Sequence, residues 1–149
     1  VGIYEYSEAI GRKASSLIKK NYFRHIFLIL VLLIIFTLFS LTIGGKIYNL
    51  WTNYVYDFNF VLLILIVLNA VFYLLQSTIS SILKSANNFF KPVLYETILS
   101  IIALIISYFC LRNGYDYIYI LKIFLIASLT SLIIYSYYSF KFYNNIIRK

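Results

Sequence analysis

Asn69, Tyr73, Gln76 and Ser80 recur at spacings of four, three and four residues. That spacing places them on one face of a helix. The run around them is otherwise apolar, and an amide in an apolar medium must find a partner, so this face looks at protein or at water. Two readings stay open. Such side chains hydrogen-bond across packed membrane helices, and they also line cavities that receive a polar substrate. Glu96 and Lys122 join them as candidates, a carboxylate and an ammonium each set near the start of an apolar run. Charged side chains so placed can also snorkel to the head-group layer. These six residues form the candidate cavity-lining set.

Little else in the chain is equipped for chemistry. His25 is the single histidine and Cys110 the single cysteine. One thiol makes no internal disulfide, and in an apolar run it reads as a small buried hydrophobe. No glycine-rich phosphate loop, H-E-x-x-H pair or nucleophile elbow occurs. With five acidic residues in all, a paired-carboxylate site is not expected. The expectation is a protein that is not an enzyme and holds no metal or cofactor.

The elements that must carry these residues are membrane helices. Hydrophobic residues make up 62% of the chain and charged ones 12%, against about 25% charged in an ordinary soluble domain. Mean hydropathy is +0.88. A chain of 149 residues leaves much of its surface exposed, and lipid is the solvent that tolerates that surface. No charge falls in the 20 residues between His25 and Lys46, a length that rises roughly 30 Å as a helix and crosses one hydrocarbon layer. Spans are expected at about 26–45, 58–83, 93–111 and 117–138. Gly44-Gly45 is expected to end the first. A loop from Lys46 to Asp57 should then carry Tyr48, Trp51, Tyr54 and Tyr56 at head-group level. Pro92 suits the first turn of the third span, and Gly114 a tight turn with positive φ before the fourth. Small and polar residues share faces on the other spans: Thr37, Ser40 and Gly44; Glu96, Ser100, Ala103 and Ser107; Ser128, Ser131, Tyr135 and Ser139. These read as close-packing surfaces. The fold class is therefore an all-α integral membrane protein, an antiparallel up-down bundle of four transmembrane helices. Residues 1–25 precede the bundle as an amphipathic cytoplasmic segment, with Ile10, Ala14, Leu17 and Ile18 at helical spacing and the membrane surface as its place. Residues 26–140 form the transmembrane domain and 141–149 a basic cytoplasmic tail.

The basic residues set the orientation. The N-terminal segment, the loop between spans two and three, and the tail hold 10 of the 13. Lys46, Arg112 and Lys122 fall on the other side. The basic side faces the cytoplasm, and an even number of spans returns both termini there. The net charge of +8 sits at the ends of apolar runs rather than as a patch on one face, so lipid head groups and not nucleic acid are the expected partner. No methionine occurs, even at position 1, which is expected of an alternative start codon or of a piece of a longer chain.

One succession of motifs has a likeness. A span closes on Gly44-Gly45-Lys46-Ile47-Tyr48-Asn49-Leu50-Trp51-Thr52. A long span carrying Gln76 leads into Ile82-Leu83-Lys84-Ser85-Ala86-Asn87-Asn88-Phe89-Phe90-Lys91-Pro92. A further span opens with Leu94-Tyr95-Glu96 and closes at Arg112-Asn113-Gly114. Over nearly the whole chain this resembles the C-terminal part of bacterial O-antigen and polysaccharide flippases, of the multidrug, oligosaccharidyl-lipid and polysaccharide exporter superfamily. The resemblance implies a protein of the bacterial inner membrane that moves an undecaprenyl-linked oligosaccharide between leaflets by alternating access of two lobes. It also implies a central cavity partly lined by charged groups. The four spans here would be the last four of the second lobe, with the N-terminal lobe as their missing partner. This piece alone should then not transport, because lobes that move around a shared site need each other. The rival expectations are a complete four-span subunit or immunity-type protein, and a fragment of a membrane-bound transferase.

Overall fold

The structure is a computed structural model that describes residues 2–12, 14–53 and 58–147. Lys13, Tyr54, Tyr56, Asp57, Arg148 and Lys149, on which the expected loop and the charge balance partly rest, lie outside the described residues. Five helices account for nearly everything described: α1 (Gly2–Gly11), α2 (Ser15–Trp51), α3 (Phe60–Ser85), α4 (Phe90–Arg112) and α5 (Tyr117–Ile147). Helices α2 to α5 are each long and apolar enough to cross a membrane. The arrangement is that of a multi-pass membrane protein, with a short helix ahead of four spanning ones.

The apolar runs form helices because only a helix or a closed barrel satisfies its own backbone where no water is present. Side chains and backbone then fix the ends. Asn59 caps α3 by accepting from the Leu62 N–H at 3.2 Å. Asn87 takes φ +53 in the turn into α4, and Gly114 takes φ +77 in the turn into α5, the positive value expected of it. Pro92 lies in the first turn of α4, as its missing N–H favours.

Three boundaries differ from the sequence expectation. The amphipathic stretch over Ser7–Lys20 is two helices. Gly11 ends α1, and the Ala14 N–H reaches back to the Ala9 carbonyl at 3.0 Å, a wrap that terminates a helix. Ile18 therefore belongs to α2. Secondly, Gly44-Gly45 does not stop the first spanning helix, which runs on to Trp51 through half of the expected loop. The glycines serve close approach instead. A Cβ at Gly44 would meet the Leu63 side chain at 3.2 Å, and one at Gly45 the Phe58 ring at 3.3 Å. Thirdly, α5 continues through the basic tail as far as Ile147.

Helix α3 packs on α2 and α5, and α4 packs on α5. The order in space is thus α2, α3, α5, α4, so α5 lies between two helices that a short turn joins. Helix α1 docks on α2 and α3. The best-buried cluster, Tyr6, Ala9, Ile18, Ile82, Leu83 and Tyr135, gathers at the end of the bundle that α1 covers. Burying Tyr6 and Ala9 there gives α1 a protein surface to lie on. Elsewhere large apolar side chains point outward, such as Phe27 at 67% exposed and Ile133 at 61%. Water would penalise a surface of this extent; lipid does not.

Candidate functional site

The seam between α3 and α5 is held by polar groups in successive layers. In the first, the Asn69 amide donates to the Leu65 carbonyl at 2.9 Å and to the Leu121 carbonyl of α5 at 3.4 Å. The Ser128 hydroxyl donates to Asn69 Oδ1 at 3.2 Å. Two turns further along α3, Gln76 Nε2 donates to Glu96 Oε1 at 2.8 Å. The Tyr135 hydroxyl donates to Glu96 Oε2 at 2.7 Å. Beyond it, the Ser139 hydroxyl donates to the Ile79 carbonyl at 3.0 Å.

The middle layer is the one with chemical character. It joins α3, α4 and α5 through a single carboxylate. Gln76 and Tyr135 are buried, at 6% and 2% exposed, and Glu96 is half-buried. Each carboxylate oxygen accepts from one neutral donor, and among the described residues no cation pairs with it. A carboxyl group between membrane helices with no cation beside it depends on those two partners. Both kinds of group also suit a sugar hydroxyl, which donates and accepts.

The six candidates from the sequence separate. Asn69, Gln76 and Glu96 meet in these layers. Ser80 is buried at 2% beside them and donates to the Ser77 carbonyl at 2.9 Å. Tyr73 is 63% exposed and stands at the margin of the stripe. Lys122 is exposed, with its Nζ 5.3 Å from the centroid of the Tyr119 ring, and takes no part in the node. Sequence reasoning placed Tyr135 and Ser128 on a packing face and missed their bonds to Glu96 and Asn69. The signal available was the one large phenol in a stripe of serines. Ser107 is buried, and its hydroxyl finds no partner among the described residues.

A second cluster fastens α1 to α2. Glu5 Oε2 receives the Arg24 guanidinium at 2.5 Å and lies 3.0 Å from His25 Nε2. His25 Nδ1 lies 3.0 Å from the Tyr6 hydroxyl. His25 thus bridges α1 twice, one ring nitrogen toward Glu5 and the other toward Tyr6. Burial pushes the Tyr6 phenol well above its ordinary value, with the neighbouring Tyr22 adding to the effect. Among the described residues no three His, Cys, Asp or Glu side chains gather as metal ligands would.

Comparison with protein families, with curated proteins and with solved structures finds no match to this chain.

Proposed function

We propose that this chain is the C-terminal part of an inner-membrane transporter that flips a lipid-linked oligosaccharide, an O-antigen or capsular repeat unit, between leaflets. The observation that carries the reading is the Gln76–Glu96–Tyr135 node. A carboxylate, an amide and a phenol from three spanning helices converge on one another, a set that also serves helix packing but whose bonds can be exchanged for those of a saccharide. The motif resemblance over Gly44–Gly114 supports the same reading, as does the amount of apolar helix surface left without a protein neighbour. The node is closed when Gln76 and Tyr135 satisfy Glu96. When the helices part, the same three groups face the cavity, and saccharide hydroxyls take the places of the lost partners. The exchange of one hydrogen-bond set for another keeps both states close in energy, as alternating access requires. The distribution of basic residues favours a cytoplasmic position for α1, the turn before α4 and the C-terminal end of α5.

Replacing Gln76 tests this. Gln76→Leu removes the donor but suits the membrane, and an interhelical hydrogen bond contributes only about 0.6 kcal/mol on average in membrane proteins. In the full transporter, Gln76→Leu should lower glycan export about tenfold, the effect of one lost substrate hydrogen bond of about 1.4 kcal/mol, with protein abundance unchanged. Normal export, or export that falls only in step with abundance, means that the node merely packs.

A further inference from the structure

At the end of the bundle that α1 covers, α1, α2 and α3 enclose an open groove of about 640 Å3. Its lining changes character along its length. Glu5, Arg24 and Lys84 stand at one end, and Leu28 and Leu32 line the other, with Ser77 on the α3 wall. Arg24 and Leu32 are eight residues apart on one helix, about 12 Å along its axis. Lys84 and Ser77 are seven apart on α3, which runs the opposite way. The charged groups are thus level with each other at the span ends, and the apolar wall extends from them toward the middle of the helices.

We infer that this groove binds one anionic membrane phospholipid, its phosphodiester between Arg24 and Lys84 and its acyl chains along Leu28 and Leu32. The inference is independent of the transport reading. Charge and shape choose the occupant. Arg24 and Lys84 against Glu5 leave an excess of one positive charge, which a phosphodiester cancels. Arg24 gives one edge of its guanidinium to Glu5, and its side chain is still 48% exposed, so further N–H groups remain for an anion. Lys84 lies in the last turn of α3, is exposed, and makes no ion pair among the described residues. A zwitterionic head group carries no net charge and would leave that excess positive charge uncancelled, whereas Lys19, Lys20 and Lys91 are exposed outside the groove. Basic pockets between helices at the cytoplasmic face are where anionic head groups bind. A soluble phosphate would use the basic end alone and leave the apolar half of the groove without purpose.

The test is lipid retention by the purified protein, read by native mass spectrometry after exchange into mixed phosphatidylglycerol and phosphatidylcholine nanodiscs. The wild type should carry one phosphatidylglycerol through delipidation, in preference to phosphatidylcholine. Inorganic phosphate at millimolar concentration should not displace it. Arg24→Gln with Lys84→Gln should reduce retention at least tenfold, while Lys19→Gln with Lys20→Gln, which removes the same charge outside the groove, should change it less than twofold. Because Arg24 also holds α1, Leu32→Trp gives a second route. It fills the apolar end far from Glu5 and should displace the lipid with α1 still docked. Equal retention of the two lipids, displacement by phosphate, or equal effects of the two glutamine pairs would overturn the inference. So would undiminished retention in Leu32→Trp.

Discussion

Gly44 acts through the side chain it lacks. With the Leu63 side chain 3.2 Å from where a Cβ would stand, that side chain packs directly on the α2 backbone, and the dispersion contacts so gained help hold helices together where lipid removes the hydrophobic drive. Gly44→Leu should force the pair apart and cost about 1–3 kcal/mol, the range for overpacking, seen as a lower unfolding temperature in detergent. Gly44→Ala should cost less, since a leucine side chain can yield by a few tenths of an ångström. An unchanged temperature in Gly44→Leu would mean that the contact is dispensable. The polar residues differ in how well their sequence announces them. Asn69, Gln76 and Ser80 turn inward because an amide or hydroxyl must be satisfied, and spacing reveals that face. Tyr73 stands about 40° round the helix from Asn69 at 3.6 residues per turn, and an amphipathic ring tolerates the outward position. Period alone assigns it to the stripe and packing removes it. Nor does spacing tell which helix a face meets, so the pattern marks Tyr135 as the odd residue in a stripe of serines but not its bond to Glu96, nor that from Ser128 to Asn69.

At the scale of helices, the four apolar runs are legible from hydropathy, and the turns at Pro92 and Gly114 from residue type. The ends of the helices are not. Charged and aromatic residues beyond the hydrocarbon layer neither demand nor forbid helix, so α2 and α5 continue past their apolar runs at no local signal. Helix α1 shows the opposite case. Its break at Gly11 follows from a residue that favours helix ends, while its docking rests on burial that no local pattern encodes. Tyr6, wholly buried among Ala9, Ile18, Ile82 and Leu83, is the anchor. Tyr6→Ala should cost about 3–5 kcal/mol, as for other large aromatic truncations, and release α1. Amide hydrogen exchange over Gly2–Gly11 should then approach that of a free peptide, while α3 and α5 keep their protection. Retained protection in α1 would show that the ion pairs of Glu5 suffice. Alkali should act in the same direction. The Tyr6 phenol is raised above 10.0 by docking, so docked α1 holds a proton that free α1 releases. The stabilisation is complete below pH about 10 and declines as pH rises beyond it.

The whole molecule is a row of four membrane helices, α2, α3, α5 and α4, whose best core lies at one end and whose outer faces are apolar. Such a row has two surfaces that protein or lipid must cover. In the proposed transporter the N-terminal lobe covers part of that surface, and Glu96 and its two donors, all on this chain's own helices, open toward the cavity between the lobes. Composition alone shows that the chain belongs in a membrane; it carries no sign of the three side chains from three helices on which the proposed transport rests. Under that proposal these four spans alone should be inert: a cavity needs a wall on each side, and a carboxylate that opens toward lipid would lose its donors without gaining a substrate. The most direct measurement is export of the lipid-linked glycan in a bacterial strain that lacks its flippase. One arm expresses the 149-residue chain alone, and the other the complete transporter of which it is proposed to form a part. Surface glycan should be restored by the complete transporter and absent with the chain alone, although the chain is present in the membrane fraction. Surface glycan restored by the chain alone, acting as a monomer, would contradict the proposal, and so would a complete transporter that is present but exports none.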